Sequence, residues 1–189
     1  MQCIVKHTLI VLSCLLAYNG LGQRSVIDSL KKLSISANND SIKALYLAKI
    51  GKEYWYISPD TSLQYTNQAF DIASKKNIKG LFPYCQNNFG VLKYLAGNYN
   101  EALECYFKGL KYSKSNPIIH SILLDNIGMV YQELRDYDKA RIYYLETLIS
   151  KKERRDSIRF ANTYNSIGII YNSLHQFEIA KLYFDTSYY

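Results

Sequence analysis

The sequence is poor in the residues that enzymes most often use as nucleophiles, bases and metal ligands. It contains three histidines and four cysteines in 189 residues, and it has no glycine-rich phosphate loop, no CxxC pair and no HExxH motif. No histidine is paired with a cysteine or serine nucleophile at a recognisable spacing. The carboxylates are too scattered to suggest a metal site. We therefore expect no catalytic residue, no metal, no cofactor and no enzymatic activity.

Long apolar runs are also lacking, because no segment reaches the roughly 20 residues that a transmembrane helix needs. The longest run, at residues 8–17, follows the basic residue Lys6 and precedes the small residues Gly20 and Gly22. A charged start, a short apolar core and small residues at a cleavage site are typical of a secretory signal peptide. We expect residues 1–22 to be a signal peptide and the protein to be exported to the periplasm or another extracytoplasmic compartment.

Basic residues exceed acidic ones, giving a net charge of +7, but they do not form a patch. The densest charge run, at residues 151–156, holds four basic and two acidic residues. A nucleic-acid surface would need a basic face with exposed aromatic residues between the charges. We interpret the run as a solvated linker and expect no nucleic-acid partner.

What the sequence does contain is one short pattern in three copies. A glycine is followed by an alanine twelve positions later and by an aromatic residue four positions after that. The copies are Gly90, Ala102 and Tyr106; Gly128, Ala140 and Tyr144; and Gly168, Ala180 and Phe184. They are spaced by 38 and then 40 residues. A fixed internal period indicates a solenoid of stacked helix pairs, in which each pair completes the core of its neighbour.

Each copy predicts two helices joined by a short turn. In the copy at residues 124–148, apolar residues recur at helical spacing on both sides of a polar turn. They are Ile127, Gly128 and Tyr131 before the turn, and Tyr137, Ala140, Tyr144 and Leu148 after it. A glycine inside a helix costs about 0.5–1 kcal/mol relative to alanine. We therefore expect the glycines and alanines to allow a close helix contact that offsets this cost.

A weaker copy precedes these three. Ser62 aligns with Ala102, 40 residues later, and Pro59 is suited to a helix start after a first helix through Ile50. The predicted repeat blocks are residues 42–80, 81–119, 120–159 and 160–189. A lead-in helix or linker is predicted at residues 23–41.

The repeated pattern resembles the tetratricopeptide repeat (TPR), whose common period is about 34 residues. The longer period resembles long-helix variants of that family. The resemblance implies an all-α fold, namely a TPR-like right-handed superhelix of antiparallel helix pairs (an α-solenoid), and a partner that is a protein or a peptide. The repeats, taken together with the predicted signal peptide, are similar to the periplasmic TPR region of bacterial two-component sensor proteins.

The resemblance also implies where a partner would bind, because the first helices of successive TPRs line a concave groove. The groove positions before and after each glycine are rich in amides, namely Asn87, Asn88, Asp125, Asn126, Gln132, Asn165 and Asn172. An amide offers both a donor and an acceptor, which suits the backbone of an extended peptide. Alternatively, these side chains cap or bridge adjacent helices. Some family members use Lys and Arg in this groove to hold the terminal carboxylate of a peptide. We do not expect that mode of binding here, because Lys and Arg are missing from these positions.

Two of the cysteines, Cys3 and Cys14, lie in the predicted signal peptide. Residues 11–14 weakly resemble a lipoprotein box, but the apolar run continues beyond Cys14, which argues against a lipoprotein. Cys85 and Cys105 are placed on the two helices of one hairpin. If the hairpin turns near Gly97, the two cysteines differ in level by about four residues, or roughly 6 Å along the helix axis. The helix axes are themselves about 8–10 Å apart. The Cα atoms would then be farther apart than the roughly 7 Å that a disulfide tolerates. We expect both to be reduced.

The C-terminal tyrosines 188 and 189 fall where a solenoid would need a polar capping element. We favour the interpretation that the sequence is a fragment, and the alternative is that this uncapped end assembles with another copy as a homo-oligomer. The predicted function is an exported TPR scaffold that forms the sensory input of a larger signalling protein. The alternative is a stand-alone periplasmic scaffold or assembly factor. Membrane attachment is expected only if a longer chain carries a transmembrane helix.

Overall fold

The computed structural model describes residues 22–152 and 157–187. Over these ranges the regular structure is helical and there is no β-strand, which confirms the all-α prediction. No helix within them combines the length and the apolar character that crossing a bilayer requires. The signal peptide and the C-terminal tyrosine pair that the sequence predicts lie outside the described residues, apart from Gly22, and so do the side chains of the charge run at residues 151–156.

Among the described residues, 22–76 belong to one compact unit, in which three helices are seen. They are α1 (residues 22–35), α2 (Asp40–Glu53) and α3 (Pro59–Lys75). α2 and α3 pack as a pair across a short connection. Ser58 caps α3 by accepting a hydrogen bond from the backbone N–H of Thr61, and Pro59 occupies the first turn, where its missing N–H costs nothing. The predicted helix start at Pro59 is confirmed.

The second unit begins at Asn77. A 3-10 turn at Lys79–Leu81 comes first. The described part of this unit then has six helices, which are α4 (Phe82–Leu95), α5 (Tyr99–Leu110), α6 (Pro117–Glu133), α7 (Tyr137–Lys152), α8 (Ser157–Ser173) and α9 (Phe177–Ser187). The pairs are α4–α5, α6–α7 and α8–α9, and α5 packs on α6 as α7 packs on α8. The first helices also touch, α4 with α6 and α6 with α8. Consecutive pairs therefore stack, as the repeat predicts.

Each repeat glycine of this unit packs against the aromatic ring sixteen positions later. A Cβ atom added to Gly128 would lie 2.9 Å from the ring of Tyr144, and one added to Gly168 would lie 2.6 Å from the ring of Phe184. A Cβ atom on Gly90 would overlap the ring of Tyr106. Because these distances are shorter than real Cβ contacts, only glycine fits without movement of the ring. The predicted close approach of the two helices is confirmed.

The turn inside each pair of the second unit has one residue in the left-handed conformation. These residues are Gly97, Arg135 and His175, with φ angles of 77°, 59° and 58°. The next residue donates its N–H to a carbonyl five positions back, at 2.9 Å in all three turns. This is the bond of a Schellman helix end, which favours glycine at the left-handed position. The turn geometry is thus repeated even where the residue is not glycine.

The two cysteines of the described chain, Cys85 and Cys105, are free thiols, as predicted. Cys85 is buried, and burial raises the pKa of its thiol to about 12. Burial also raises the pKa of Cys105. Because the thiolate is the reactive form, both residues are held in their unreactive state at neutral pH.

Candidate binding site

A cavity of about 300 Å³ lies on the face formed by the first helices of the second unit. We call it the α6 cavity, because α6 supplies most of its lining. The lining residues are Tyr94 from α4, Asp125, Asn126, Met129, Gln132 and Glu133 from α6, Tyr144 from α7 and Ser166 from α8. Side chains from three consecutive helix pairs therefore meet at one place.

Hydrogen bonds between polar side chains bridge the first helices at this face. Asn126 Nδ2 donates to Asn87 Oδ1 at 2.7 Å, and Thr163 Oγ1 donates to Asp125 Oδ1 at 3.0 Å. The first bond joins α6 to α4 and the second joins α8 to α6. Asn126 and Asn87 thus bridge adjacent helices, which is one of the two roles that the sequence allowed for the amides. Contact of these residues with a partner stays a prediction.

The seven residues predicted for the groove fall into three environments. Asp125, Asn126 and Gln132 line the α6 cavity. Asn87 and Asn88 are buried, with 5% and 3% of their surface exposed, so a partner could reach them only if the helices separated. Asn165 and Asn172 are exposed on α8, where they do not line the cavity. The structure therefore brings together one central group and leaves two amides on the neighbouring helix.

The cavity carries negative charge and fixed hydroxyl groups. Asp125 and Glu133 are its two charged residues, since the other six lining residues are uncharged. Tyr94 donates its hydroxyl to Glu133 Oε1 at 3.2 Å, which joins α4 to α6. Tyr144 donates its hydroxyl to Gln132 Oε1 at 3.1 Å, and burial raises the pKa of this phenol well above its usual value. Tyr144 is therefore a neutral donor at physiological pH.

Sequence reasoning missed five of the eight lining residues as site residues. Tyr94, Glu133 and Ser166 stand at the groove spacing from a repeat glycine, where the family resemblance places them in the groove, but the choice of amides left them out of the predicted set. Tyr144 was assigned to the apolar core, and periodicity does not reveal that its hydroxyl reaches the cavity. Met129 directly follows Gly128, and the pattern holds no signal for it.

No cluster of three or more His, Cys, Asp or Glu side chains suited to a metal ion occurs among the described residues. His120 lies elsewhere, on α6 near its start, where its Nδ1 is 2.7 Å from Ser113 Oγ. Ser113 also donates to the carbonyl of Leu110 at 3.0 Å. The serine hydroxyl is thus used in a turn, and this pair has the character of a structural contact.

A family model described as tetratricopeptide repeat matches residues 123–153, which cover most of α6 and all of α7. Two curated relatives align with longer parts of the chain. The glucose-insensitive transcription protein 7 of Schizosaccharomyces pombe is 26% identical over 138 residues, covering 65% of this chain and 36% of that protein. The response regulator aspartate phosphatase I of Bacillus subtilis is 32% identical over 107 residues, covering 52% and 26%.

This chain therefore spans about a third or less of the length of the curated relatives that it matches. Among solved structures, a Rap protein complexed with competence and sporulation factor superimposes with a TM-score of 0.76. The identity is 18%, and the match covers 90% of this chain and 50% of that one. At this identity the likeness shows the fold. The repeat match identifies a tetratricopeptide repeat at residues 123–153, and the paired helices and this superposition show that the described chain has the fold of tetratricopeptide repeat proteins.

Proposed function

We propose that this chain binds an extended peptide segment of a partner protein at the α6 cavity and acts by binding, without catalysing a reaction. The observation that carries the proposal is the meeting of polar groups from three consecutive repeats in one cavity of about 300 Å³. An extended segment has an unpaired N–H and C=O at nearly every residue. The hydroxyl, amide and carboxylate groups of the lining offer partners of both kinds.

The lining is also held in place before a partner arrives. The Tyr94–Glu133 bond and the Asn126–Asn87 bond tie α6 to α4. Binding to groups that are already ordered costs less conformational entropy than binding to mobile ones. The Rap protein relative, solved as a complex with competence and sporulation factor, supports a ligand-binding role for this fold.

The test is selection of peptides from a random octapeptide library by the immobilised chain. We expect the wild-type chain to enrich peptides and the substitution Ser166→Phe to abolish the enrichment, because the ring would fill the cavity. Ser173→Phe is the matched control, since Ser173 lies on the same helix, is exposed and does not line the cavity. Selection that is equally strong with Ser166→Phe would show that the α6 cavity is not the site.

We further propose that residues 1–22 direct export. The support is the order of basic start, short apolar core and small residues in the sequence. Fusing these residues to alkaline phosphatase, which is active only after export, should give active enzyme in a bacterial host. The same fusion with a lysine in place of Leu12 and Leu15 should lose this activity. Equal activity of the two fusions would contradict the proposal.

We also propose that the repeats are the sensory input of a longer signalling protein, of the two-component type. The support is the similarity to a protein named a response regulator phosphatase. The reading frame beyond Tyr189 tests it, because a signalling domain should follow, with a membrane span of about 20 apolar residues before it. A frame without them would favour the alternative, a stand-alone scaffold, and light scattering would then measure its self-association.

A further inference from the structure

The charge of the α6 cavity is opposite to that of the chain. The sequence has 23 basic and 16 acidic residues, yet the cavity is lined by two carboxylates and by no Lys, Arg or His. Elsewhere on the second unit, some acidic side chains form ion pairs with basic neighbours. Glu101 pairs with Lys93 at 2.6 Å, and Glu104 pairs with Lys108 at 3.6 Å. Glu133 takes part in none of the ion pairs formed among the described residues.

Both cavity carboxylates are oriented by hydroxyl groups from neighbouring repeats. Glu133 accepts from Tyr94 on α4, and Asp125 accepts from Thr163 on α8. A carboxylate has about four acceptor positions on its two oxygens, so the Tyr94 hydroxyl does not use up the acceptor capacity of Glu133. The hydroxyl donors do not neutralise the negative charge. They fix the direction in which each carboxylate accepts a further hydrogen bond.

The rest of the lining suits the stem of a long cationic side chain. Met129 is apolar, and Tyr94 contributes an aromatic ring, whereas Tyr144 is buried and reaches the cavity with its hydroxyl. Lysine and arginine bury an aliphatic stem against apolar surface while the charged end reaches a polar group. An ammonium or guanidinium group is also attracted to the face of an aromatic ring.

From this match of charge and shape we propose that the α6 cavity takes the side chain of a lysine or arginine of the bound segment. The inference rests on the proposed function, since it names the chemistry of the segment that binds there. Asp125 and Glu133 are eight residues apart on one helix, which is about 12 Å of axial rise. The two carboxylates are therefore separate acceptors, and a segment with two basic residues would engage both.

The experiment extends the octapeptide selection with isosteric charge removal. Wild-type chain should select peptides enriched in Lys and Arg, and the enrichment should weaken at high salt, which screens charges. Glu133→Gln keeps an acceptor for Tyr94 and removes only the charge. We expect it to weaken binding of a selected basic peptide about tenfold, as measured by fluorescence anisotropy. Asp125→Asn should act similarly. Glu104→Gln, on the exposed side of α5, is the control that should not change binding.

The decisive comparison pairs each variant with an analogue of the selected peptide in which Lys or Arg is replaced by Gln. Glu133→Gln should reduce the affinity for this analogue only slightly, because the analogue lacks the cationic group that would pair with Glu133. Selected peptides without Lys and Arg enrichment would overturn the inference and leave the proposed function standing. If the wild-type chain selects no peptide at all, the proposed function itself fails, and this inference fails with it.

Discussion

Single residues set the spacing of the helix pairs in this protein. The repeat glycines sit directly under aromatic rings, as Gly128 does under the buried Tyr144. The sequence predicted a close approach of the two helices from the periodic glycine and alanine. It did not predict the second use of Tyr144, whose ring packs against the glycine while its hydroxyl reaches Gln132 in the cavity. A periodic pattern reports which face a residue lies on, and it does not report where a terminal polar atom points.

The substitution Gly128→Ala tests this contact. In an ordinary helix, replacing glycine by alanine stabilises by about 0.5–1 kcal/mol. Here the new Cβ atom would lie 2.9 Å from the Tyr144 ring, so we expect a loss of stability of about 1 kcal/mol, and about 1–3 kcal/mol for Gly128→Leu. Urea unfolding followed by circular dichroism measures both.

Gly80→Ala is the control for this comparison, because a Cβ atom there would meet no atom within 4 Å. It should leave the free energy of unfolding unchanged or raise it slightly. A Gly128→Ala variant as stable as the wild type would show that the ring does not need the glycine.

At the scale of helices, the sequence predicted the pairs but aligned the first pair incompletely. Ser62 was matched to the alanine position without a glycine partner. In the structure Ser62 donates its hydroxyl to the carbonyl of Gly51 at 2.7 Å, and both residues are buried. Gly51 precedes Ser62 by eleven positions, whereas the other copies have twelve. One missing residue was enough to hide the glycine from a fixed-spacing comparison.

The pairs also share an element that the spacing alone did not show. A tyrosine three positions after the glycine stacks on a tyrosine of the second helix, at ring distances of 5.4–5.9 Å. The stacked pairs are Tyr54 with Tyr65, Tyr131 with Tyr143, and Tyr171 with Tyr183. The α4–α5 pair has Lys93 and Cys105 at these positions. The tyrosines at these positions therefore serve the packing of the two helices in a pair.

The junction between α5 and α6 should make stability depend on pH. Burial lowers the pKa of His120 below its ordinary value of 6.5, with Glu146 and Lys114 acting in opposite directions. The unfolded chain then binds a proton more readily than the folded one. The contribution of His120 is complete above about pH 6.5 and is lost as the pH falls through the folded-state pKa.

Denaturant titrations of the wild type and of His120→Gln between pH 7.5 and pH 5, the range that brackets an ordinary histidine pKa of about 6.5, measure this contribution. Glutamine can still donate to Ser113 but does not titrate, so the variant should lose less stability on acidification than the wild type. Parallel pH profiles of the two proteins would contradict the assignment.

At the scale of the molecule, the described chain consists of two compact units, and the α6 cavity belongs to the second. The sequence predicted a site on the first helices from the family resemblance, and it named three of the cavity residues, Asp125, Asn126 and Gln132. Both carboxylates of the cavity, Asp125 and Glu133, lie on α6, and the preference for amides left Glu133 out of the predicted site. The sequence does not show that Tyr94 of α4 and Ser166 of α8 meet them, because these residues are far apart in sequence and only the fold brings them together.

The central claim is that a peptide binds at the α6 cavity. Hydrogen exchange of the full chain, with and without a saturating peptide from the octapeptide selection, tests it most directly. The account predicts slower exchange in residues 125–133 of α6 and around Ser166 on α8, with no change in the exposed turn at residues 97–100. Protection confined to other helices, with α6 exchanging as fast as in the free protein, would contradict it.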